Sequence, residues 1–333
     1  MSIGQLTKHR SLGLTDQEAI GMYRNMVRAR KFDERCLLLQ RAGKIQFHVS
    51  GIGQEAAQVA AAYALNREED YFLPYYRDYG FVLSVGMTLK ELMLSVFAKA
   101  ADPNSGGRQM PGHFGHKKLR IVTGSSPVTT QVPHAVGFAL AAKMNRKPGV
   151  SFVTFGEGSS NQGDFHEGCN FAGVHKLPVI LMCENNQYAI SVPLNKQVAG
   201  QVVDRAIGYG FPGFRVDGND VLEVYRTVKE ARERGIRGEG PTLIEAVMYR
   251  VSPHSTSDND MLYRSKEEVE LHRKQDGLPK FRQYLMDCGI WTEEEDRELQ
   301  EAVQQEVNEA TDYADQQPYP KPEDLMKHVY AQP

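Results

Sequence analysis

Cysteine is scarce in this 333-residue chain, and the four present, Cys36, Cys169, Cys183 and Cys288, form no Cys-x-x-Cys pair. That excludes a disulfide framework and a thiolate zinc site, and leaves scattered thiols that read as small buried hydrophobes in a reducing, cytoplasmic setting. No apolar run approaches the ~20 residues of a membrane span, so the sequence predicts no membrane association. The opening "MSIGQLTKHRSLGLTDQE" lacks the apolar segment of a secretion signal. A basic excess is missing too: the formal net charge is -3, which argues against a nucleic-acid partner. The glycine-rich stretch "VTFGEGSSNQGDFHEG" lacks the Lys that follows the glycines of a phosphate-cradling P-loop. It carries acid instead, and that substitution of carboxylate for lysine is the first positive clue.

With 41% hydrophobic residues the chain can bury a substantial core. "LTDQEAIGMYRNMVRARKFDERCLLLQRAGK" opens with a capping box, Thr15 to Glu18, and stops at Gly43, which predicts a long helix. "GIGQEAAQVAAAYAL" and "TLKELMLSVFAKA" read as helices, and "YFLPYYRDYG" as a short strand running into a loop. Residues 102–127 are rich in Gly and Pro, and a loop of that length is usually functional or disordered. "TTQVPHAVGFALAAKMN" is a helix with small residues. The buried strand "GVSFVTF", the helix "DFHEGCNFAGVHK" and the buried strand "LPVILMC" then make a β-α-β unit, which demands parallel strands. "GFRVDGND", a helix over "VLEVYRTVKEARERG" and the strand "PTLIEAVMYR" continue the alternation. The fold class is therefore α/β, a parallel sheet flanked by helices. We divide the chain into an N-terminal helical arm (1–45), a central α/β domain (46–265) and a charged C-terminal helical region (266–333), the last with a capping box from Thr292 to Glu295.

Ligands of parallel sheets sit beyond the carboxyl ends of the strands. Glu157 ends one strand and Asn185-Asn186 follows the next, so the crossover brings both to one edge. A carboxylate, an amide and a backbone carbonyl are hard oxygen donors suited to Mg²⁺, which completes its octahedron with phosphate oxygens. Either turn alone is more often an exposed turn; the pair, each at a strand end with a helix between, favours a metal and a diphosphate. Arg77 in "PYYRDYG" offers a guanidinium fork for phosphate, against the ordinary alternative of a surface ion pair. His254, in the polar loop "VSPHSTSDNDMLYRS", could donate to phosphate or move protons near neutral pH; a solvated loop histidine is the plainer reading. The spacing of His113 and His116 in "HFGH" is weak for a metal, and both read as loop structure.

Gly-Glu-Gly, about thirty residues, then Asn-Asn, resembles the signature of the thiamin-diphosphate and Mg²⁺ fold. The segments "RQMPGHFG", "SSPVTTQVPHAVG", "FGEGSSNQGDFHEGCNFA", "NNQYAIS", "RVDGNDV" and "YRVSPHSTSDND" resemble, in order, the α subunit of the 2-oxo acid dehydrogenase E1 component, closest to the branched-chain subfamily. The resemblance runs from about Leu14 to Tyr330. It implies a thiamin-diphosphate-binding fold in which Glu157, Asn186 and the Tyr188 carbonyl ligate Mg²⁺. It further implies that Tyr76, Arg77, Gly158, Ser159 and His254 lie at the cofactor, that Ser126 and Val128 support it, and that His254 acts at the reacting centre. Ser125, Pro127, Thr130 and Gln131 match a structural K⁺ site in relatives. Phe47 and Tyr76 are candidates for the substrate pocket. Ser255 matches a serine phosphorylated in mammalian-type relatives. The pattern breaks at Glu184, where relatives carry Arg or Gln, which places a second acid next to the expected anion.

Activation of the cofactor needs a further carboxylate, which two-subunit members of that family take from a β chain. Only one diphosphate half is present here, so the resemblance implies an α2β2 assembly that passes its acyl group to the lipoyl arm of an E2 acyltransferase. The expected reaction is oxidative decarboxylation of a branched-chain 2-oxo acid. A pyruvate or acetoin enzyme differs by a few methylenes, each worth only ~1–3 kcal/mol in a pocket. A transketolase-type enzyme would need a much longer chain, and a non-catalytic interaction subunit would not need Glu157, Asn186, Arg77 and His254 together.

Overall fold

A computed structural model describes residues 7–327, 329 and 330. The reading of the extreme N-terminus therefore lies, over residues 1–6, outside the described residues. Seven strands occur among them: β1 (Tyr71–Leu73), β2 (Ser151–Gly156), β3 (Val179–Asn185), β4 (Tyr188–Ala189), β5 (Val192–Pro193), β6 (Gly213–Asp217) and β7 (Thr242–Val247). Five make one sheet in the order β1-β2-β3-β7-β6, and every pair in it is parallel. β4 and β5 form a separate two-stranded antiparallel hairpin immediately after β3.

Parallel strands buried on both faces need apolar residues at successive positions, and the alternation of side chains sorts them to opposite sides. Phe72, Phe152, Ile180, Met182 and Ile244 enter one cluster; Leu73, Val153, Phe155, Leu181, Cys183 and Leu243 enter the other. The second cluster is covered by the helices Gln131–Met144 and Gly163–Val174, through Val132, Ala135, Val136, Phe165, Cys169 and Ala172. The first receives the helices Asp16–Arg41, Glu55–Tyr63, Val221–Ile236 and Glu293–Gln316. That cluster joins residues from all three segments marked out in the sequence, since Leu14, Val59 and Val307 belong to it alike. Cys36, Cys169 and Cys183 are buried thiols. No helix among the described residues is long and apolar enough to cross a membrane.

Sequence patterning falls short at several places. Tyr79–Val85 is a helix that begins inside the stretch read as a loop and continues through residues given no element; all seven residues are buried, so no amphipathic period marks it. β3 runs on through Glu184 and Asn185, because these polar side chains are bonded inside the protein, Glu184 to Gln58 and Tyr75, and Asn185 to Glu245 at 2.6 Å. The capping boxes at Thr15 and Thr292 are present as expected. At Thr292 the Glu295 amide donates to Thr292 Oγ1 at 3.2 Å and the Thr292 amide donates to Glu295 Oε2 at 2.9 Å. Thr292→Ala should therefore lower stability by about 1 kcal/mol, seen as a fall of about 2 °C in the melting temperature; an unchanged melt would mean that packing alone holds this helix.

Candidate active site

The loops that leave the carboxyl ends of β1, β2, β3 and β7 converge on one cavity of about 440 Å³. Its wall includes Phe47, Tyr76, Arg77, Ser125, Ser126, Val128, Gln131, Glu157, Gly158, Ser159, Asn186, Tyr188 and His254. Residues separated by two hundred positions meet there because a parallel sheet delivers all its strand ends to one edge. Pro127 and Thr130 are not in this wall.

Glu157 is 1% exposed, yet no Lys or Arg bonds to it. Among the described residues its carboxylate accepts from its own backbone amide, from the Asn186 amide (3.2 Å) and from Gln197 Nε2 (3.3 Å). Burial pushes its pKa up, opposed by those hydrogen bonds and more weakly by Arg250. A buried acid kept short of positive charge is the donor chemistry of a cation site. The short hairpin holds the second half. Asn186 Oδ1 accepts from the Tyr188 amide at 3.3 Å, and Gln187 between them has φ +75°, a costly left-handed conformation. Gly158 packs under the hairpin: a Cβ there would stand 2.5 Å from Ala189 Cβ, so only glycine lets the two turns close. The Tyr188 carbonyl already accepts from Arg250 Nη1 at 3.1 Å, which leaves its second lone pair for a metal.

Arg77 is fully buried. Nη1 donates to the Ser50 carbonyl (2.7 Å), Nη2 lies 2.9 Å from both His254 Nδ1 and the His254 carbonyl, and Nε has no protein partner. That orphaned N–H is a feature a phosphate oxygen would satisfy. Its guanidinium carbon stands 5.2 Å from the Tyr76 ring centroid. A guanidinium can only donate, so His254 Nδ1 accepts and the proton sits on Nε2. Burial first, then the charges of Arg77 and Arg250, hold His254 down to about 4. Of the two roles expected for His254, donation to a phosphate or proton exchange near neutrality, this arrangement favours the first: a lowered pKa keeps the ring neutral at pH 7, and it presents an N–H donor, the Nδ1 lone pair being already taken. Asp258 fixes the loop by accepting from the His254 amide at 2.8 Å.

Glu184 does not face the cavity. It lies beneath, accepting from Gln58 Nε2 (3.1 Å) and Tyr75 Oη (3.2 Å), and is hydrogen-bonded to Asp78. The feared acid beside the anion therefore points away, into a buried cluster where desolvation raises both carboxyls. His116 also lies outside the wall, near Glu91 at 3.3 Å. His113, read as loop structure, is in the wall.

Arg250 is the site residue that sequence reasoning missed. It is fully buried, its amide donates to the Asn186 carbonyl (3.1 Å), and Nη2 donates to the Ile190 carbonyl (2.6 Å) and to Tyr263 Oη (2.9 Å). It staples the hairpin to β7. The signal was an arginine just past a buried apolar strand, too charged for a core position unless it held backbone carbonyls.

A parallel α/β sheet whose Gly-Glu-Gly and Asn-Asn turns line one cavity at its carboxyl edge defines a cofactor-binding α/β enzyme. The chain belongs to the dehydrogenase E1 component family, which it matches over residues 23–323, and membership implies thiamin diphosphate. It is 65% identical over 325 residues to "2-oxoisovalerate dehydrogenase subunit alpha" of Bacillus subtilis (strain 168), covering 97% of this chain and 98% of that one. The mouse mitochondrial "2-oxoisovalerate dehydrogenase subunit alpha" is 40% identical, with 95% of this chain and 72% of that one covered. The B. subtilis "Pyruvate dehydrogenase E1 component subunit alpha" is 39% identical, over 95% and 83%.

Proposed function

We propose that the chain is the α subunit of a thiamin-diphosphate-dependent E1 that oxidatively decarboxylates branched-chain 2-oxo acids. The observation that carries this reading is the buried, cation-starved Glu157 in one cavity with Asn186, Arg77 and His254. The 65% identity to a 2-oxoisovalerate dehydrogenase subunit supports the branched substrate over pyruvate. The cofactor, when bound, supplies the nucleophilic carbon and the electron sink for loss of CO₂. The chain's own residues bind and orient. Glu157, Asn186 and the Tyr188 carbonyl would hold Mg²⁺. Tyr76 and Arg77 would meet the diphosphate, with Gly158 and Ser159 in the turn beside it. His254 would donate from Nε2. Ser126 and Val128 would support the cofactor. Ser125, Pro127, Thr130 and Gln131 would be the corresponding K⁺ set. Phe47, Tyr76, Val128 and Ile190 give the cavity an apolar side for a branched chain.

Glu157 is the only acid in the wall among the described residues. It is committed to the metal, so the carboxylate that activates the cofactor comes from a β subunit in an α2β2 assembly. The lipoyl arm of an E2 partner would be the acyl acceptor.

The test is co-expression with candidate β subunits. Thiamin diphosphate binding is measured with and without Mg²⁺, then decarboxylation of 2-oxoisovalerate and pyruvate with an artificial electron acceptor. Mg²⁺-dependent binding and faster turnover of the branched acid are expected. Faster turnover of pyruvate would replace the substrate and keep the cofactor; no binding with any β partner would sink the reading.

A further inference from the structure

The cavity wall contains a second histidine that the reading above leaves unused. The segment from Gly112 to Ser126 makes a tight excursion over β1. The Val122 amide donates to the Phe72 carbonyl (2.9 Å), the His116 amide to the Ile121 carbonyl (2.9 Å) and the Gly124 amide to the Phe114 carbonyl (3.1 Å). Gly112, at φ +87°, lies so close that a Cβ would be 2.7 Å from the Tyr76 carbonyl oxygen. This folding-back sets His113 across from Ser126.

The hydrogen bonds of His113 fix its tautomer. Nδ1 is 2.8 Å from the Met110 carbonyl oxygen, which can only accept, so in the neutral imidazole Nδ1 carries the proton. Nε2 is then a bare acceptor, 2.6 Å from Ser126 Oγ, and the Ser126 hydroxyl donates to it. The two imidazoles of the wall thus stand in opposite tautomers: His254 turns an N–H to the cavity, and His113 draws the Ser126 proton away from it.

We propose that His113 is a positioning residue that sets the polarity of Ser126, so that Ser126 Oγ offers lone pairs to the cavity and accepts a hydrogen bond from a donor on the bound molecule. This rests on the thiamin-diphosphate reading. Of that cofactor's two ends, the diphosphate has only acceptors and would be repelled by a lone pair. The aminopyrimidine carries an N–H donor, and it is this end that Ser126 suits. Without His113 the Ser126 hydroxyl keeps its lone pairs but is free to turn its proton into the cavity, so His113 acts only through Ser126, its effect vanishes when Ser126 is absent, and the two effects do not add.

The experiment is calorimetric titration of the complex of this chain and its β partner with thiamin diphosphate at saturating Mg²⁺. It compares the parent with Ser126→Ala, His113→Ala, the double variant, His113→Gln and His113→Lys, with melting temperatures of the cofactor-free complexes alongside. Each alanine variant should bind about tenfold more weakly, the double variant no worse than either, as for one charge-neutral hydrogen bond. Glutamine can donate to Met110 and accept from Ser126, and should restore affinity to within about twofold. Lysine can only donate, and should be as weak as alanine. Additive losses, or lysine restoring as well as glutamine, would overturn the polarity argument. Weakening by Ser126→Ala with no effect of His113→Ala or His113→Lys would overturn it too, and would leave the cofactor reading intact. No effect of Ser126→Ala would remove both the inference and the placement of Ser126; no binding by the parent would remove the cofactor reading itself. Should His113→Ala fail to fold, the glutamine and lysine pair decides alone.

Discussion

Glu157→Gln should do two opposite things: abolish Mg²⁺-dependent binding of thiamin diphosphate, and raise the melting temperature of the cofactor-free complex. The first follows from donor chemistry. A neutral amide keeps the volume of the side chain and one oxygen but loses the charge that recommends this position for a divalent cation. We expect affinity for the cofactor with Mg²⁺ to fall by at least about 10³-fold, on the scale of several kcal/mol for losing a charged ligand from a buried site.

The second follows from the sign of the Glu157 pKa. Its folded value is raised by burial. A carboxyl with a raised folded pKa binds more protons in the native state than in the unfolded one. Stability from it is therefore lost as pH rises through the interval between the two values, and above that interval the ionised group is a burden. Glutamine removes that burden, and about 1 kcal/mol would appear as a rise of about 2 °C. Differential scanning calorimetry of the cofactor-free parent and variant, followed by titration with Mg²⁺ and thiamin diphosphate, reads both effects. A variant that is less stable without cofactor would show that Glu157 is held for structure, and a variant that still binds with Mg²⁺ would take the metal away from it.

Much of this was legible before the fold, and the reasons are physical. Strands β2 and β3 are buried and mainly apolar because a parallel sheet is covered on both faces, and charged or amide side chains, Glu157 after β2 and Glu184-Asn185-Asn186 after the apolar part of β3, mark where those runs stop. Capping boxes announce their helices because the reciprocal bonds are local. What was hidden lies where a long-range contact decides. The Tyr79–Val85 helix is buried on every side, so its sequence carries no period. Glu184 gave no sign of its direction, since a carboxylate at a strand end can turn to the cavity or beneath it, and only Gln58 and Tyr75, over a hundred residues earlier in the chain, determine which. His113 and Ser126 are ordinary loop residues until the excursion over β1 places them together. The tautomer of His254 is set by Arg77, 177 positions away.

That last contact makes Arg77 the most consequential side chain after Glu157. Arg77→Gln should weaken thiamin diphosphate binding by about 10²-fold or more and change the pH dependence of what activity remains. Arginine holds three acceptors at once from a planar fork, the Ser50 carbonyl, the His254 carbonyl and His254 Nδ1. Glutamine cannot reach all three, and a buried carbonyl left without a donor costs ~1–3 kcal/mol. Arg77→Lys keeps the charge and should still fail by a similar factor, because a single ammonium cannot reproduce the fork. The pH effect has a definite sign. The folded pKa of His254, at about 4, lies below the ordinary imidazole value, by burial and then by the charge of Arg77. Between about 6.5 and 4 the unfolded chain therefore binds the proton that the native chain refuses, and native stability falls as pH drops through that window. Removing the Arg77 charge raises the folded pKa and narrows the window from below. The acid limb of kcat/KM should then move to higher pH, while the part of the acid destabilisation due to His254 shrinks. Rate profiles and melting temperatures between pH 4.5 and 8, measured for the parent, Arg77→Gln and Arg77→Lys, separate these effects. Lysine, which keeps a positive charge near His254, should shift the acid limb less than glutamine does. An acid limb that stays put in both variants would mean that burial alone keeps His254 neutral, and that Arg77 serves the diphosphate and the loop without tuning the imidazole.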